Sequence, residues 1–172
     1  MPLAFVIHAM PRSGSTWLSN WLSSGHSICW HDPNEWAGPE AIEEWADKQD
    51  RPAGICCTAT WLLTHWQPQV PTLLLDRGWV GVNRSLVAKG LPELPEWVRA
   101  QWLTLPGERV TLHDLLNEER AREIHAKLLP GVPFDLARYQ ELCRMNVQPS
   151  EAELVRMRAY IAHYNSLNRQ RA

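Results

Sequence analysis

Apolar positions fall into two kinds of run along the chain. The first kind is short and has no polar face: Leu3–Ala9, then 27–31, 54–59 and 70–75. Runs of four to eight apolar residues bounded by turn residues predict strands buried on both faces. The second kind repeats at helical spacing. Trp17, Leu18, Trp21 and Leu22 mark one helix face, and Gly25 is expected to end that helix. Asp32-Pro33 closes the second strand. Pro39–Asp47 predicts a surface helix with Glu40, Glu43 and Glu44 toward water. The fourth strand runs into Asp76-Arg77-Gly78, followed by a helix over about 80–89 and another after Pro95 carrying Trp97, Val98 and Trp102. Residues 109–113 alternate and predict a fifth strand. Asn117 is a cap for a helix over Glu118–Leu128. A helix is expected over 133–144, and Ser150-x-x-Glu153 is a capping box for a last one with Leu154, Met157 and Ile161 inward.

Strands alternating with helices predict an α/β protein. The expected form is a three-layer, P-loop-like fold, an about five-stranded, mostly parallel sheet flanked by helices. At 172 residues the chain predicts a single domain over 1–172, with a helical C-terminal part over about 116–168. Hydrophobic residues at 45% and charged residues at 21% exclude a disordered chain, a collagen and a coiled coil. A net charge of −2 argues against a nucleic-acid partner. Cys29, Cys56, Cys57 and Cys143 form no C-x-x-C pair and no zinc spacing. They predict reduced, mostly buried thiols, a cytoplasmic protein and no metal. The apolar opening is too short for a signal segment and lacks a basic flank. No apolar run approaches the about 18 residues that cross a membrane.

The chemistry concentrates in His8-Ala-Met-Pro-Arg-Ser-Gly-Ser-Thr-Trp17, which leaves a strand and opens a helix. Backbone N–H groups of such a loop, with the helix N-terminus behind them, form an anion cradle. Against the Walker pattern G-x-x-x-x-G-K-[ST], Ala9 stands at the first glycine, Gly14 at the second and Thr16 at the hydroxyl. Ser15 stands where the lysine belongs, and the cation is three residues earlier, at Arg12. That keeps phosphate binding and argues against an ATPase or kinase.

The segment Pro11-Arg-Ser-Gly-Ser-Thr-Trp-Leu18 resembles the 5′-phosphosulfate loop of the sulfotransferases, which use 3′-phosphoadenosine-5′-phosphosulfate (PAPS) as donor and release 3′-phosphoadenosine-5′-phosphate (PAP). The resemblance implies that Arg12, Ser13, Gly14, Ser15, Thr16 and Trp17 contact the donor, with Arg12 neutralising charge on the departing oxygen. The family places an arginine at a later strand end and a serine eight residues on, holding the 3′-phosphate. Arg77 and Ser85 stand at that spacing, with Arg84 in reserve. A guanidinium grips phosphate with a planar fork, and a helix-borne hydroxyl adds a second donor. A carboxylate before proline faces the acceptor in many members. Asp32 in His31-Asp32-Pro33 matches, so Asp32 or His31 is the implied base, with Glu35 competing and a plain turn as the alternative.

The chain departs from the family in being short and in lacking the C-terminal Arg-x-Gly and Gly-x-Trp-Lys elements that close over the nucleotide. Three functions follow in order: a PAPS-dependent sulfotransferase acting on a hydroxyl or amine of a small-molecule or carbohydrate acceptor, a non-catalytic anion-binding module of the same fold, and a small-molecule P-loop kinase. Ten tryptophans stand out. Trp30, Trp36, Trp61 and Trp66 are an acceptor wall or core, and tryptophans on the later helices would make a homodimer surface. His65, His113, His125 and His163 are expected on the surface or packed, whereas His8 lines the site or packs beneath it.

Overall fold

In the computed structural model, which describes residues 2–33, 38–59, 66 and 68–145, the first apolar run forms strand β1 (Leu3–Ala9) at the centre of the sheet. Phe5, Val6, Ile7 and Ala9 are wholly buried there, each large side chain contributing about 1.5–3 kcal/mol of transfer free energy. The chain continues through α1 (Ser15–Leu22), β2 (Ile28–His31), α2 (Pro39–Asp47), β3 (Ala53–Cys57) and β4 (Thr72–Asp76). Then come α3 (Trp79–Val87), α4 (Glu96–Thr104), β5 (Glu108–Thr111), α5 (Leu112–Leu116), α6 (Glu118–Leu128) and α7 (Leu136–Arg144). The strands stand in the order β2-β3-β1-β4-β5, and all four pairings are parallel. The architecture is α/β, a five-stranded parallel sheet between helical layers, consistent with a three-layer P-loop-like fold.

Each face of the sheet carries its own core. Ile42 and Ala46 of α2, Val82 and Leu86 of α3, and Val98 and Trp102 of α4 pack on one face with Val6, Ile55 and Leu74. Trp17, Leu18, Trp21 and Leu22 of α1 pack on the other with Ile7, Leu73 and Val110, joined by α6 and α7 through Ile124, Leu128, Tyr139 and Leu142. Sheet order and face go together. The connection from β1 out to β2 moves one way across the sheet and uses the α1 face. The connections from β2 to β3 and from β4 to β5 move the other way and use the opposite face. A constant right-handed crossover requires that pairing of direction and side.

One glycine is fixed by packing. A Cβ on Gly54 would lie 2.3 Å from Phe5 Cε2, so the Phe5 ring occupies the space a side chain on β3 would need. The β1–β3 register shifts between Leu3 and Phe5, a bulge that turns the first residues of β1 to the opposite faces from those their alternation predicts.

Several boundaries differ from the periodic pattern. Helix α1 stops at Leu22 rather than Gly25, because Ser27 Oγ donates to Leu22 O at 2.8 Å and Ser23 Oγ accepts from Cys29 N at 3.0 Å. Strand β4 starts at Thr72 rather than residue 70, where Val70 N already bonds Pro68 O. Strand β5 ends at Thr111 rather than His113. Thr111 accepts from Asp114 N while Asp114 accepts from Thr111 N, a capping box that opens α5. Asn117 caps α6 as expected, accepting from Arg120 N at 3.0 Å. The expected last helix, with Leu154, Met157 and Ile161, lies outside the described residues.

Candidate anion-binding site at the ends of β1, β2 and β4

Strand β1 leads toward β2 on one side, while β4 lies on its other side and leads to β5. The loops after β1 and β4 therefore part from each other and leave a crevice at the carboxyl ends of the strands. This is the switch point where open α/β sheets bind ligands. The Met10–Gly14 turn fills one wall. Met10 N donates to Leu75 O at 3.1 Å, tying the turn to β4, and Ser13 N donates to Met10 O at 3.2 Å. Gly14 has φ 99, a conformation that L side chains rarely adopt, and an added Cβ would meet Leu112 Cδ1 at 3.1 Å.

Among the described residues, Arg12 with φ 66 and Asp32 with φ 51 are the two non-glycine residues in the left-handed region. Both border this crevice. Holding such a conformation costs of order 1–3 kcal/mol and requires surrounding structure to impose it. Here that structure is visible. Arg77 Nη1 donates to Arg12 O at 2.8 Å, and Asp32 Oδ1 accepts from Thr58 N at 2.6 Å.

On the β4 side, two guanidiniums converge on one hydroxyl. Arg12 Nε and Arg77 Nη1 each donate to Ser85 Oγ at 3.4 Å, long contacts that are weak beside the 2.8 Å bond from Arg77 to the loop carbonyl. Burial, and then the charge of Arg77, lower the pKa of Arg12. The Arg77 stem crosses the first turn of α3, where a Cβ on Gly81 would meet Arg77 Cγ at 3.4 Å. The turn beneath is set by Asp76, whose Oδ1 accepts from Gly78 N at 2.7 Å and whose Oδ2 faces Trp102 Nε1 at 3.5 Å and Arg109 Nη1 at 3.8 Å. Arginine side chains only donate, and Ser85 has a hydrogen to offer as well. Such a donor set fits an acceptor-only oxyanion.

On the β2 side, His31 Nε2 lies 3.1 Å from Ser15 Oγ and 3.5 Å from Asp32 Oδ2. Between the two clusters, Ser13 Oγ is buried and has no hydrogen-bond partner among the described residues. An unpaired buried hydroxyl costs about 1–3 kcal/mol. From β2 to β4 is three strand spacings, roughly 14 Å. The two side-chain clusters therefore stand at strand ends about that far apart.

The expected residues fall as follows. Arg12, Arg77 and Ser85 meet on the β4 side, Ser15, His31 and Asp32 meet on the β2 side, and Ser13, Gly14 and Thr16 lie on the loop and first helical turn that carry Arg12 and Ser15. Trp17 does not offer its ring to the crevice. That ring is buried against Trp21 and Tyr139, and Nε1 donates to Leu142 O at 2.9 Å. Arg84 is exposed and lines an open groove on α3 with Trp79, Val80 and Val87. Trp30 meets Trp45 at a tilt, with ring centroids 4.9 Å apart, and both pack against the core. Trp66 donates to Glu43 Oε1 at 3.0 Å. On the later helices Trp79 and Trp97 are half-buried and Trp102 is buried. Glu35, Trp36, Trp61, His65 and His163 lie outside the described residues.

His8 packs beneath the site. Burial pushes its pKa down to about 4, and Nδ1 has no partner among the described residues. His125 is packed between Trp21 and Phe134, and His113 is exposed. Cys29, Cys56 and Cys57 are buried and Cys143 exposed. Among the described residues, no three potential metal ligands come together, and no helix is long and apolar enough to cross a membrane.

Sequence reading missed three participants. Thr58 was hidden inside an overextended strand. Leu112, which faces Gly14, was assigned to β5, although Thr111-x-x-Asp114 is a recognisable cap. Gly81, one helical turn after Arg77, left a signal only in its spacing. Comparison with protein-family models, with curated proteins and with solved structures finds no match to this chain.

Proposed function

We propose that this crevice is the donor site of a small sulfotransferase that moves a sulfuryl group from PAPS to an acceptor hydroxyl or amine. One observation carries the reading. The sulfotransferase-like motif pairs the loop arginine with an arginine and a serine far along the chain, and Arg12, Arg77 and Ser85 meet at one point. The loop and α3 are 73 residues apart at that contact, so nothing in local sequence requires it.

The residues divide the work by charge. Arg12, Arg77 and Ser85 supply donors for a phosphate on the β4 side. The amides from Ser13 to Thr16, the Ser13 hydroxyl and the Thr16 hydroxyl supply donors for the 5′-phosphosulfate. PAPS brings the activated sulfuryl group. In an in-line transfer the S–O bond to the bridging oxygen breaks, its electron pair staying on PAP, as the acceptor oxygen bonds sulfur. Arg12 opposes the negative charge that grows on the departing oxygen. Asp32 or His31 takes the acceptor's proton. Ser15, and not a lysine, stands at the Walker lysine position of the loop, which favours PAPS over ATP. Three buried thiols support a cytoplasmic protein. The acceptor is a small molecule or carbohydrate.

Calorimetric titration with PAP, with ATP–magnesium alongside, tests the reading. Micromolar PAP binding without ATP binding is expected. Binding of ATP–magnesium alone would move the protein to the kinases, and saturable PAP binding with no turnover of PAPS on any acceptor class would leave a binding module.

A further inference from the structure

Ser15 occupies the place of the Walker lysine, and its hydroxyl is committed to a histidine. Ser15 is 6% exposed, and its Oγ lies 3.1 Å from His31 Nε2. His31 ends β2, two strand positions from β1. The sheet, not the loop, delivers the imidazole. The same Nε2 faces Asp32 Oδ2 at 3.5 Å. Asp32 is held there from two directions: Thr58 N donates to its Oδ1 at 2.6 Å, and its own N donates to Cys56 O at 2.8 Å.

Nε2 thus has a hydroxyl oxygen on one side and a carboxylate oxygen on the other. With a hydrogen on Nε2 the ring donates to the Ser15 hydroxyl and faces the Asp32 carboxylate, and Nδ1 is the atom open to a second proton. We propose that His31 is the switchable cation of the 12–16 loop, protonated when an oxyanion sits at Ser15 and supplying there the positive charge that a lysine would otherwise bring. The inference rests on reading the loop as an oxyanion site.

Three effects combine to make the charged ring the bound form. A carboxylate within about 4–6 Å favours imidazolium. The bound oxyanion adds a second negative charge nearby. Accepting from Nε2–H also leaves the Ser15 hydroxyl hydrogen to point at the anion, and chained hydrogen bonds strengthen one another. Neutral His31, in contrast, leaves the Asp32 charge uncompensated beside the site, where it repels the ligand. Among the described residues, the other titratable groups on the packed elements do not offset this. Burial pushes the Cys29 thiol on β2 up to about 12 and raises Cys56 on β3 well above its ordinary value, so both stay neutral. Arg12 adds positive charge along the loop, where its guanidinium is engaged with Ser85. His8 lies on β1 and is held neutral by burial, with its pKa at about 4. With His31 holding its proton, the acceptor's proton falls to Asp32.

Inorganic sulfate is the probe, because it stays a dianion across the histidine range and any proton taken up belongs to the protein. Calorimetry in buffers of different ionisation enthalpy is expected to show proton uptake with sulfate. Affinity is expected to fall as pH rises, by up to about tenfold per unit. His31→Gln, which keeps a donor for Ser15, is expected to bind sulfate more weakly with no proton uptake and a flat profile. Nitrogen-15 spectra of the unaltered protein read the ring directly, and the His31 signal is expected to move to imidazolium as sulfate is added. Sulfate binding without proton uptake, uptake that survives in His31→Gln, or a ring that stays neutral overturns the proposal. Sulfate binding with uptake but no PAP binding keeps it and removes the nucleotide reading. PAP binding without uptake does the reverse. Absence of both kinds of binding overturns both.

Discussion

Arg77→Ala separates the 3′-phosphate from the rest of the donor. In the structure Arg77 makes one strong bond, to Arg12 O at 2.8 Å, and one weak contact, to Ser85 Oγ at 3.4 Å. Its remaining donors are available to a phosphate. Hydrogen bonds between charged groups contribute about 1.5–3 kcal/mol each, and a guanidinium fork makes two. Arg12, converging on the same hydroxyl, recovers part of the loss. The net expectation is about 3 kcal/mol, or roughly a hundredfold in the Kd for PAP. Adenosine-5′-phosphosulfate carries no 3′-phosphate, so its Kd is expected to move by no more than about fivefold. The bond to Arg12 O steadies the loop by about 1 kcal/mol, which sets the size of that smaller change. Arg77→Lys keeps the charge and loses the fork, and an intermediate loss of about tenfold for PAP is expected. Calorimetric titration of both ligands against the three proteins is the assay. Equal losses for the two ligands in Arg77→Ala would mean that Arg77 supports the loop and does not read the 3′-phosphate.

Arg12→Gly removes the guanidinium while suiting φ 66, so PAPS turnover is expected to fall by more than about a hundredfold with Tm nearly unchanged; undiminished turnover would take Arg12 out of the chemistry. Gly14→Ala places a methyl 3.1 Å from Leu112 at φ 99 and is expected to cost about 1–3 kcal/mol in urea unfolding, whereas an unmoved midpoint would mean the loop relaxes freely. His8 is expected to weaken the fold in acid. Its pKa is pushed down from 6.5 to about 4, so the unfolded chain takes up a proton that the folded chain resists. Stability present above pH 6.5 then drains as pH falls toward about 4, by up to roughly 3 kcal/mol. His8→Leu should flatten that window in urea titrations at pH 7 and pH 4.5, and an equal acid loss in both proteins would assign it elsewhere.

Elements whose cause is local were legible in the residues alone. β1 shows in seven nearly unbroken apolar positions, α1 in Trp17, Leu18, Trp21 and Leu22, and the start of α6 in the Asn117 cap. Each depends on neighbours within a turn or two, and so does the strand–loop–helix context of the Arg12 loop. The end of β5 was misread for the same kind of reason. Residues 109–113 alternate, but the Thr111–Asp114 cap acts over a shorter range and takes the chain into α5. Trp17, Arg12 and Ser15 depend on tertiary partners. Trp17 turns inward because Leu142 O, 125 residues on, accepts its indole N–H. Arg12 points across the crevice because β4 lies beside β1 and brings Ser85 to it. Ser15 meets His31 only because β2 returns to the same end of the sheet. Hydrophobic period and capping chemistry specify which segments become helix or strand. The direction of a functional side chain is set by what packs against it, and that follows from the order in which distant strands pair.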